Sequence, residues 1–301
     1  MIDRRKFLNY SLGTAALLST NLKLSTAKTD NKQPLNLKIY ATNWGFKGDI
    51  EHFCQRVKAE GYDGIEVWLP EKNNVNKLLN AIDKYELELI LLVAGHEKNF
   101  DDNFASFKSN LERALSLSPR LINCHTGRDY FTFEQASQFF NETIKRSAQT
   151  GINITHETHR ARILFAAHIS EMFLQKFPAL RLTLDISHWC NVASSLLADQ
   201  TQAVNLALAH SDHVHSRVGF AHGPQVNDPR APEWKTAFNA HVAWWDKVVA
   251  LKRQTTGQLT MTTEFGPAPY MPTLPYTNQP VADQWAINRY MMSYWRERYA
   301  G

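Results

Sequence analysis

The feature that most constrains the fold is the regular alternation of apolar, strand-like runs with amphipathic, helix-like runs from residue 37 onwards. Such alternation is typical of parallel strands connected by helices. The runs predict eight strands, near Leu37–Thr42, Gly64–Trp68, Leu87–Val93, Leu121–His125, Ile152–Glu157, Arg181–Asp185, His213–Val218 and Gln258–Glu264. Eight helices fill the gaps, the last near Val281–Tyr299. The pattern predicts a single-domain α/β fold, a (β/α)8 TIM barrel, which typically needs about 250 residues.

The N-terminal segment is predicted to be an export signal rather than part of the barrel. The motif DRRKFL at residues 3–8 is similar to a twin-arginine signal, an apolar stretch follows at 10–18, and small residues suited to cleavage stand at 25–27. We therefore divide the chain into a signal peptide (1–27), a disordered linker (28–36) and the barrel (37–301), and expect a periplasmic protein. A basic amphipathic helix is the alternative. The apolar stretch is shorter than the about 20 residues that span a bilayer, so no stable membrane insertion of the mature protein is expected.

The charge distribution argues against a nucleic-acid partner. Most of the formal net charge of +4 lies in residues 1–27, which contain four basic residues and one acidic residue. The remainder is almost neutral, whereas a nucleic-acid-binding domain usually carries a basic stripe. Neither a dinucleotide-binding G-x-G-x-x-G, a Walker sequence nor a G-x-S-x-G elbow is present.

Three carboxylates and one imidazole stand at the ends of the last four predicted strands. Glu157, Asp185, His215 and Glu264 are separated by 28, 30 and 49 residues, and one strand–helix unit takes about 30. Because the strand ends of such a barrel meet at its C-terminal mouth, these side chains are expected to lie together. Buried like charges repel, and a cation removes that cost. The set predicts a divalent metal, Mn²⁺ or Mg²⁺ in the first place, with Co²⁺ or Zn²⁺ as alternatives.

Other polar and aromatic residues close to predicted strand ends are candidate substrate contacts. These are His188, Arg217, His125, His96, Glu66, Trp44 and Trp68. Ordinary structural roles, such as helix capping, core packing or solvated charge, are the alternative for each. His213 shares a strand face with His215, so the pattern alone leaves open which of them is the ligand. Two proline-rich loops, at residues 219–233 and 266–276, are predicted to wall the pocket, or else to be stiff connectors.

Five segments together resemble the xylose isomerase-like barrel superfamily: GYDGIEVW, HETHRAR, LDISHW, HVHSRVG and TTEFGP. The resemblance covers roughly residues 37–300 and is nearest to the sugar phosphate isomerase/epimerase branch, which is related to D-tagatose 3-epimerase. It implies that Glu157, Asp185, His215 and Glu264 hold the metal and that the two glutamates also act as acid and base. It implies a substrate contact for His188. It favours His215 over His213, because the family ligand is the second histidine of an H-x-H pair.

The resemblance and the residues together predict a metal-dependent sugar isomerase or epimerase that removes a proton next to a carbonyl through an enediolate. A lyase or hydratase acting on a 3-keto sugar or glycoside at the same site is the first alternative, and a non-catalytic sugar-binding barrel is the second. The superfamily also includes endonuclease IV, but the D-x-H pair of that nuclease is replaced here by Asp228-Pro229-Arg230. The expected partner is a small-molecule sugar, and homo-oligomers are a family expectation.

Overall fold

Eight parallel strands form a closed barrel in the computed structural model, which describes residues 34–299. Each strand pairs with the next along the chain, and the last pairs with the first. The strands are β1 (Asn36–Thr42), β2 (Gly64–Trp68), β3 (Glu88–Ala94), β4 (Leu121–His125), β5 (Asn153–Glu157), β6 (Arg181–Leu184), β7 (Ser211–His215) and β8 (Gln258–Thr263). The predicted barrel is confirmed. The predicted signal peptide lies outside the described residues, and β1 begins at Asn36, the last residue of the predicted linker.

Helices surround the barrel and connect its strands. They are α1 (Ile50–Ala59), α2 (Val75–Tyr85), α3 (Phe100–Ser116), α4 (Phe133–Thr150), α5 (Ala167–Lys176), α6 (Ile186–Ala193), α7 (Thr201–His210), α8 (Lys235–Gln254) and α9 (Gln284–Tyr299). Short 3₁₀ turns occupy Lys72–Asn74, Ala198–Gln200 and Pro232–Trp234. Between residues 34 and 299 no helix combines the length and the hydropathy needed to cross a bilayer.

The described chain has nine α-helices where the sequence predicted eight, because α6 precedes α7 in the connection from β6 to β7. Asp185 begins α6 by accepting a hydrogen bond from the backbone N–H of Ser187 at 3.1 Å. The buried side chains of Ile186, Trp189 and Cys190 fix the helix against the core. The extra helix matters for the site, since it places His188 in the first turn after a strand end.

The interior of the barrel holds one small apolar cluster, with polar side chains above it. Tyr40, Ile90 and Leu121 form a small apolar cluster, separate from the main core between strands and helices. Gly64 makes room for it, because a Cβ there would lie 2.6 Å from the Tyr40 ring and 2.3 Å from a backbone oxygen. Above the cluster the interior is hydrogen-bonded, as in the 2.7 Å contact between the hydroxyls of Thr155 and Thr183. Polar side chains therefore lead from mid-barrel to the C-terminal mouth.

The connections at the C-terminal mouth differ in part from the prediction. Strand β7 ends at His215, not Val218, so Arg217 lies in the following loop. The first proline-rich loop braces the second, because the side chain of Gln225 exchanges hydrogen bonds of 2.7 and 3.1 Å with the backbone of Gly266. The second loop carries Tyr270 into the pocket. The first loop therefore supports the second loop, and the second loop lines the pocket.

Candidate metal centre and active-site pocket

The four predicted ligands converge at the C-terminal mouth. Glu157 and His215 are the last residues of β5 and β7, while Asp185 and Glu264 directly follow β6 and β8. Each side chain offers one ligand atom, and these four atoms all lie within 4.8 Å of one another. All four residues are buried, with Glu264 the most accessible at 9% exposure. The structure therefore brings together the residues that the strand spacing selected.

Three of these side chains have polar atoms without hydrogen-bond partners. Glu157 Oε1, His215 Nδ1 and Glu264 Oε2 are buried, and none of them makes a hydrogen bond with the described part of the chain. His215 Nδ1 lies 2.8 Å from Glu264 Oε2 and 3.7 Å from Glu157 Oε1. An unsatisfied buried polar group costs about 1–3 kcal/mol. A cation bound between these atoms would remove that cost, so this donor set, three carboxylates and one imidazole, fits a divalent metal.

Asp185 is held differently from the other three. Its Oδ1 accepts hydrogen bonds from the backbone and hydroxyl of Ser187, and its Oδ2 pairs with the guanidinium of Arg217. Burial raises the pKa of Asp185 to about 7, although Arg217 opposes this, and the nearby carboxylate of Glu264 raises it further. Arg217 Nη2 also lies 3.5 Å from Glu264 Oε2. Arg217 therefore compensates part of the negative charge of the cluster.

A buried network below the cluster orients His215. Its Nε2 lies 3.0 Å from Glu66 Oε2, and Asn123 Nδ2 donates to Glu66 Oε1 at 2.9 Å and to Glu157 Oε2 at 3.3 Å. Burial alone would raise the pKa of Glu66, but His215 and His213 hold it well below its usual range. A carboxylate on the far ring nitrogen is the arrangement that fixes a metal-binding imidazole. Glu66, predicted as a substrate contact, is 1% exposed and does not line the cavity.

His213 lies deeper in the barrel than His215. It pairs across the sheet with Thr260, whereas His215 pairs with Thr262. Its Nδ1 lies 2.7 Å from the Thr260 hydroxyl, and its Nε2 lies 3.1 Å from the Thr262 hydroxyl and 3.2 Å from Glu66. Glu66, His213 and His215 also bring donor atoms within 4.8 Å, but those atoms are used for hydrogen bonds among themselves. Of the two histidines, His215 is the one in the four-residue cluster.

A cavity of about 280 Å³ opens above the cluster, and Glu264 and Arg217 are part of its wall. Its lining is aromatic at Trp44, Trp68 and Tyr270 and polar at His125, His159 and Arg162, and the Trp68 ring contacts that of His125 at 4.8 Å between centroids. The ring centroids of Trp44 and Tyr270 are 4.9 Å apart in an edge-to-face arrangement. A lining that mixes aromatic rings with polar side chains is suited to a ligand with C–H faces and hydroxyl edges.

Three histidines surround Glu157 and the loop that follows it. His125 Nε2 lies 2.5 Å from Glu157 Oε2, and the rings of His159 and His188 are 3.9 Å apart. His188 is fully buried with its Nε2 2.7 Å from Arg217 Nη2, and it does not line the cavity. Burial lowers the pKa of His159 to about 3 and that of His188 well below its usual value. Both imidazoles are therefore neutral at pH 7.

The remaining predicted substrate contacts differ in whether they line the cavity. Trp44 and Trp68 line the cavity, whereas His96 is exposed two residues beyond the end of β3, with its ring 5.9 Å from that of Trp68. The sequence did not single out Asn123 or Tyr270. The alternation in β4 places Asn123 on the same face as His125, so that signal was present. For Tyr270 the sequence contained no signal beyond its position in a proline-rich loop.

No protein-family model matches the chain, and no curated protein matches it either. Solved structures share its fold. A 3-keto-D-glucoside 4-epimerase from E. coli aligns over 87% of this chain and 99% of its own, at 15% identity and a TM-score of 0.58. A probable 3-DHS dehydratase of petrobactin synthesis from Bacillus anthracis aligns over 87% of this chain and 99% of its own, at 15% identity and a TM-score of 0.57. An AP endonuclease of family 2 from Brucella melitensis aligns over 88% of this chain and 99% of its own, at 10% identity and a TM-score of 0.57.

These neighbours have three different activities on one architecture, and their low identity to this chain establishes the fold alone. The fold agrees with the resemblance seen in the sequence, since an epimerase, a dehydratase and an endonuclease with the same barrel are among the neighbours. The chain therefore has the (β/α)8 fold of this group of barrels.

Proposed function

We propose that the protein is a metal-dependent sugar isomerase or epimerase. One observation carries the proposal: Glu157 and Glu264 each direct a carboxylate oxygen into one cluster with Asp185 and His215, beside an open cavity. A non-catalytic sugar-binding barrel does not need two such carboxylates at one point. The epimerase among the structural neighbours acts on a keto sugar, as its name states, which supports the same substrate class here.

The carboxylates supply the proton transfer. A divalent cation held by Glu157, Asp185, His215 and Glu264 would stabilise negative charge developing on adjacent oxygens of a hydroxy-carbonyl substrate. Glu264 borders the cavity and is placed to take a proton from the carbon next to the carbonyl, which leaves an enediolate. Glu157 projects from a different strand. For inversion, Glu157 takes up a proton from solvent and delivers it to the opposite face of the same carbon, while Glu264 later releases the abstracted proton to solvent. For isomerisation, Glu264 returns the abstracted proton to the neighbouring carbon.

Other side chains orient the acids and the substrate. His125 and Asn123 fix one oxygen of Glu157, which leaves its other oxygen free. Trp44 and Tyr270 offer ring faces or edges to the C–H side of a sugar. Ordering these groups before the substrate binds lowers the reorganisation needed for proton transfer.

A lyase or hydratase is the second candidate, and His125 is the observation that favours it. Its imidazole contacts Glu157 at 2.5 Å and lines the cavity, so it could protonate a departing hydroxyl or alkoxide β to the carbanion. The dehydratase among the structural neighbours has the same fold.

Proton NMR in D₂O tests these alternatives with the Mn²⁺- or Mg²⁺-loaded protein and a panel of ketoses and 3-keto glycosides; paramagnetic Mn²⁺ is removed before spectra are recorded. Deuterium entering the carbon next to the carbonyl without loss of water or aglycone supports the isomerase or epimerase, whereas a new enone supports the lyase. Glu264→Gln should abolish exchange. Glu86→Gln, on an exposed side chain at the end of α2, is the matched control. Absence of exchange with every sugar would favour the binding module.

We further propose export by the twin-arginine route, on the basis of the DRRKFL motif at residues 3–8. Cell fractionation of a strain expressing the full chain tests this. The combined change Arg4→Lys and Arg5→Lys should retain the protein in the cytoplasm. Unchanged distribution of this variant would contradict the proposal.

A further inference from the structure

One arginine in the cavity wall has no acidic partner. Arg162 lines the cavity, and its Nη1 donates a hydrogen bond to the backbone oxygen of Gly127 at 3.3 Å. Among the described residues no carboxylate forms an ion pair with it. The other arginine of the cavity wall, Arg217, is paired with Asp185 and lies 3.5 Å from Glu264. Of these two cavity arginines, Arg162 is the one without a carboxylate counter-ion among residues 34–299.

A second guanidinium lies close to the first. Arg128 is held by backbone oxygens. Its Nη2 donates to the backbone oxygen of His96 at 2.5 Å, and its Nε donates to that of Glu97 at 3.5 Å. Burial lowers the pKa of Arg162, and the positive charge of Arg128 lowers it further; the carboxylates of Glu157 and Asp129 oppose this. Neither carboxylate is within ion-pair distance of Arg162. Two like charges on adjacent loops, one of them facing the cavity, would both be stabilised by a bound anion.

We propose that the substrate carries an anionic group, a carboxylate or a phosphate, which Arg162 binds above β4 and β5. This rests on the proposed function, because it assigns the substrate class of the same site. Guanidinium binds both anions with paired, charge-assisted hydrogen bonds. The cluster of Glu157, Asp185, His215 and Glu264 then receives the hydroxy-carbonyl part of the molecule, and the far end reaches Arg162.

Matched ketoses separate the anionic group from the rest of the sugar. The probes are D-fructose, which is neutral, 5-keto-D-gluconate, which has a carboxylate, and D-fructose 6-phosphate. Binding to the metal-loaded full chain is followed by tryptophan fluorescence, since Trp44 and Trp68 line the cavity. At least one anionic probe should bind about tenfold more tightly than D-fructose, the factor expected from one hydrogen bond to a charged group. The tighter of the two identifies the anion.

Variants then assign the preference to Arg162. Arg162→Gln should weaken binding of the preferred anionic probe about tenfold more than binding of D-fructose, which removes the preference, while Arg162→Lys should retain part of it. Lys176→Gln, the same charge change on an exposed residue in the last turn of α5, should have no effect. The anion site is overturned if neither anionic probe binds more tightly than D-fructose, or if Arg162→Gln weakens all probes equally. Tight anionic binding without deuterium exchange would instead refute the proposed catalysis and leave the anion site standing.

Discussion

Replacing Glu66 with glutamine tests whether the network below the cluster fixes the proposed metal ligand. Glu66 is 1% exposed, and its two oxygens lie 3.1 and 3.0 Å from His215 Nε2. Burial alone would lower the pKa of His215, but Glu264, Glu66 and Glu157 raise it well above its usual range. Glu66→Gln removes one of these charges and turns one acceptor into a donor that faces the ring. The imidazole then loses the contact that directs Nδ1 towards the cluster.

The expected size follows from the kind of contact that is lost. Changing the partner of a metal-binding histidine lowers metal affinity by about 10–100-fold. That factor corresponds to about 1.4–2.7 kcal/mol of binding free energy. It agrees with the about 1.5–3 kcal/mol attributed to a hydrogen bond with a charged group. We therefore expect the Kd for Mn²⁺ to rise by one to two orders of magnitude, approximately.

Calorimetric titration of the metal-free protein with Mn²⁺ measures this change. Glu86→Gln is the control for loss of one negative charge, because that side chain is exposed at the end of α2. Circular dichroism and the thermal unfolding midpoint establish that the variant is folded. A folded Glu66→Gln protein with the wild-type Kd would show that His215 is oriented without Glu66.

Three further predictions follow from other parts of the structure. His215→Asn should weaken Mn²⁺ binding more than His213→Asn in the same titration, because His213 has hydrogen-bond partners on both ring nitrogens; equal losses would contradict this. Burial lowers the pKa of His241 to about 4 from an ordinary value near 6.5, so the folded state favours the neutral ring. That stabilisation, about 3 kcal/mol, is complete above pH 6.5 and lost as pH falls towards 4; denaturant unfolding between pH 7 and 4.5 should show a smaller slope for His241→Gln. Gly266→Ala would bring a Cβ to 2.2 Å from the Trp44 ring, so KM should rise more than kcat falls in steady-state kinetics, and unchanged KM would contradict this.

The strand pattern carried most of the fold prediction. Runs such as residues 89–94 are apolar on both faces, as expected for strands with a core on one side and the barrel interior on the other. The carboxylates at the strand ends could also be placed, because parallel strands end on one side of the barrel. The predicted end of β7 was wrong by three residues. Ser216, Arg217 and Val218 belong to the following loop but are buried like strand residues, so the sequence pattern does not mark the boundary.

The network below the mouth was harder to predict. Glu66 and Asn123 lie inside the barrel, where alternation shows that a side chain faces inward but not how deep it lies. Depth depends on the stagger between strands, which pairs His213 with Thr260 and His215 with Thr262. The same stagger decides that Glu66 contacts histidines instead of the cavity. Sequence spacing along single strands does not contain this information.

We expect a single divalent cation to be bound by side chains at the C-terminal ends of four strands. A crystal structure of the full chain with Mn²⁺, with anomalous data collected near the manganese edge, tests it most directly. We predict one anomalous peak within bonding distance of Glu157, Asp185, His215 Nδ1 and Glu264. Absence of a peak there, or a peak bound by other residues, would rule out this metal site.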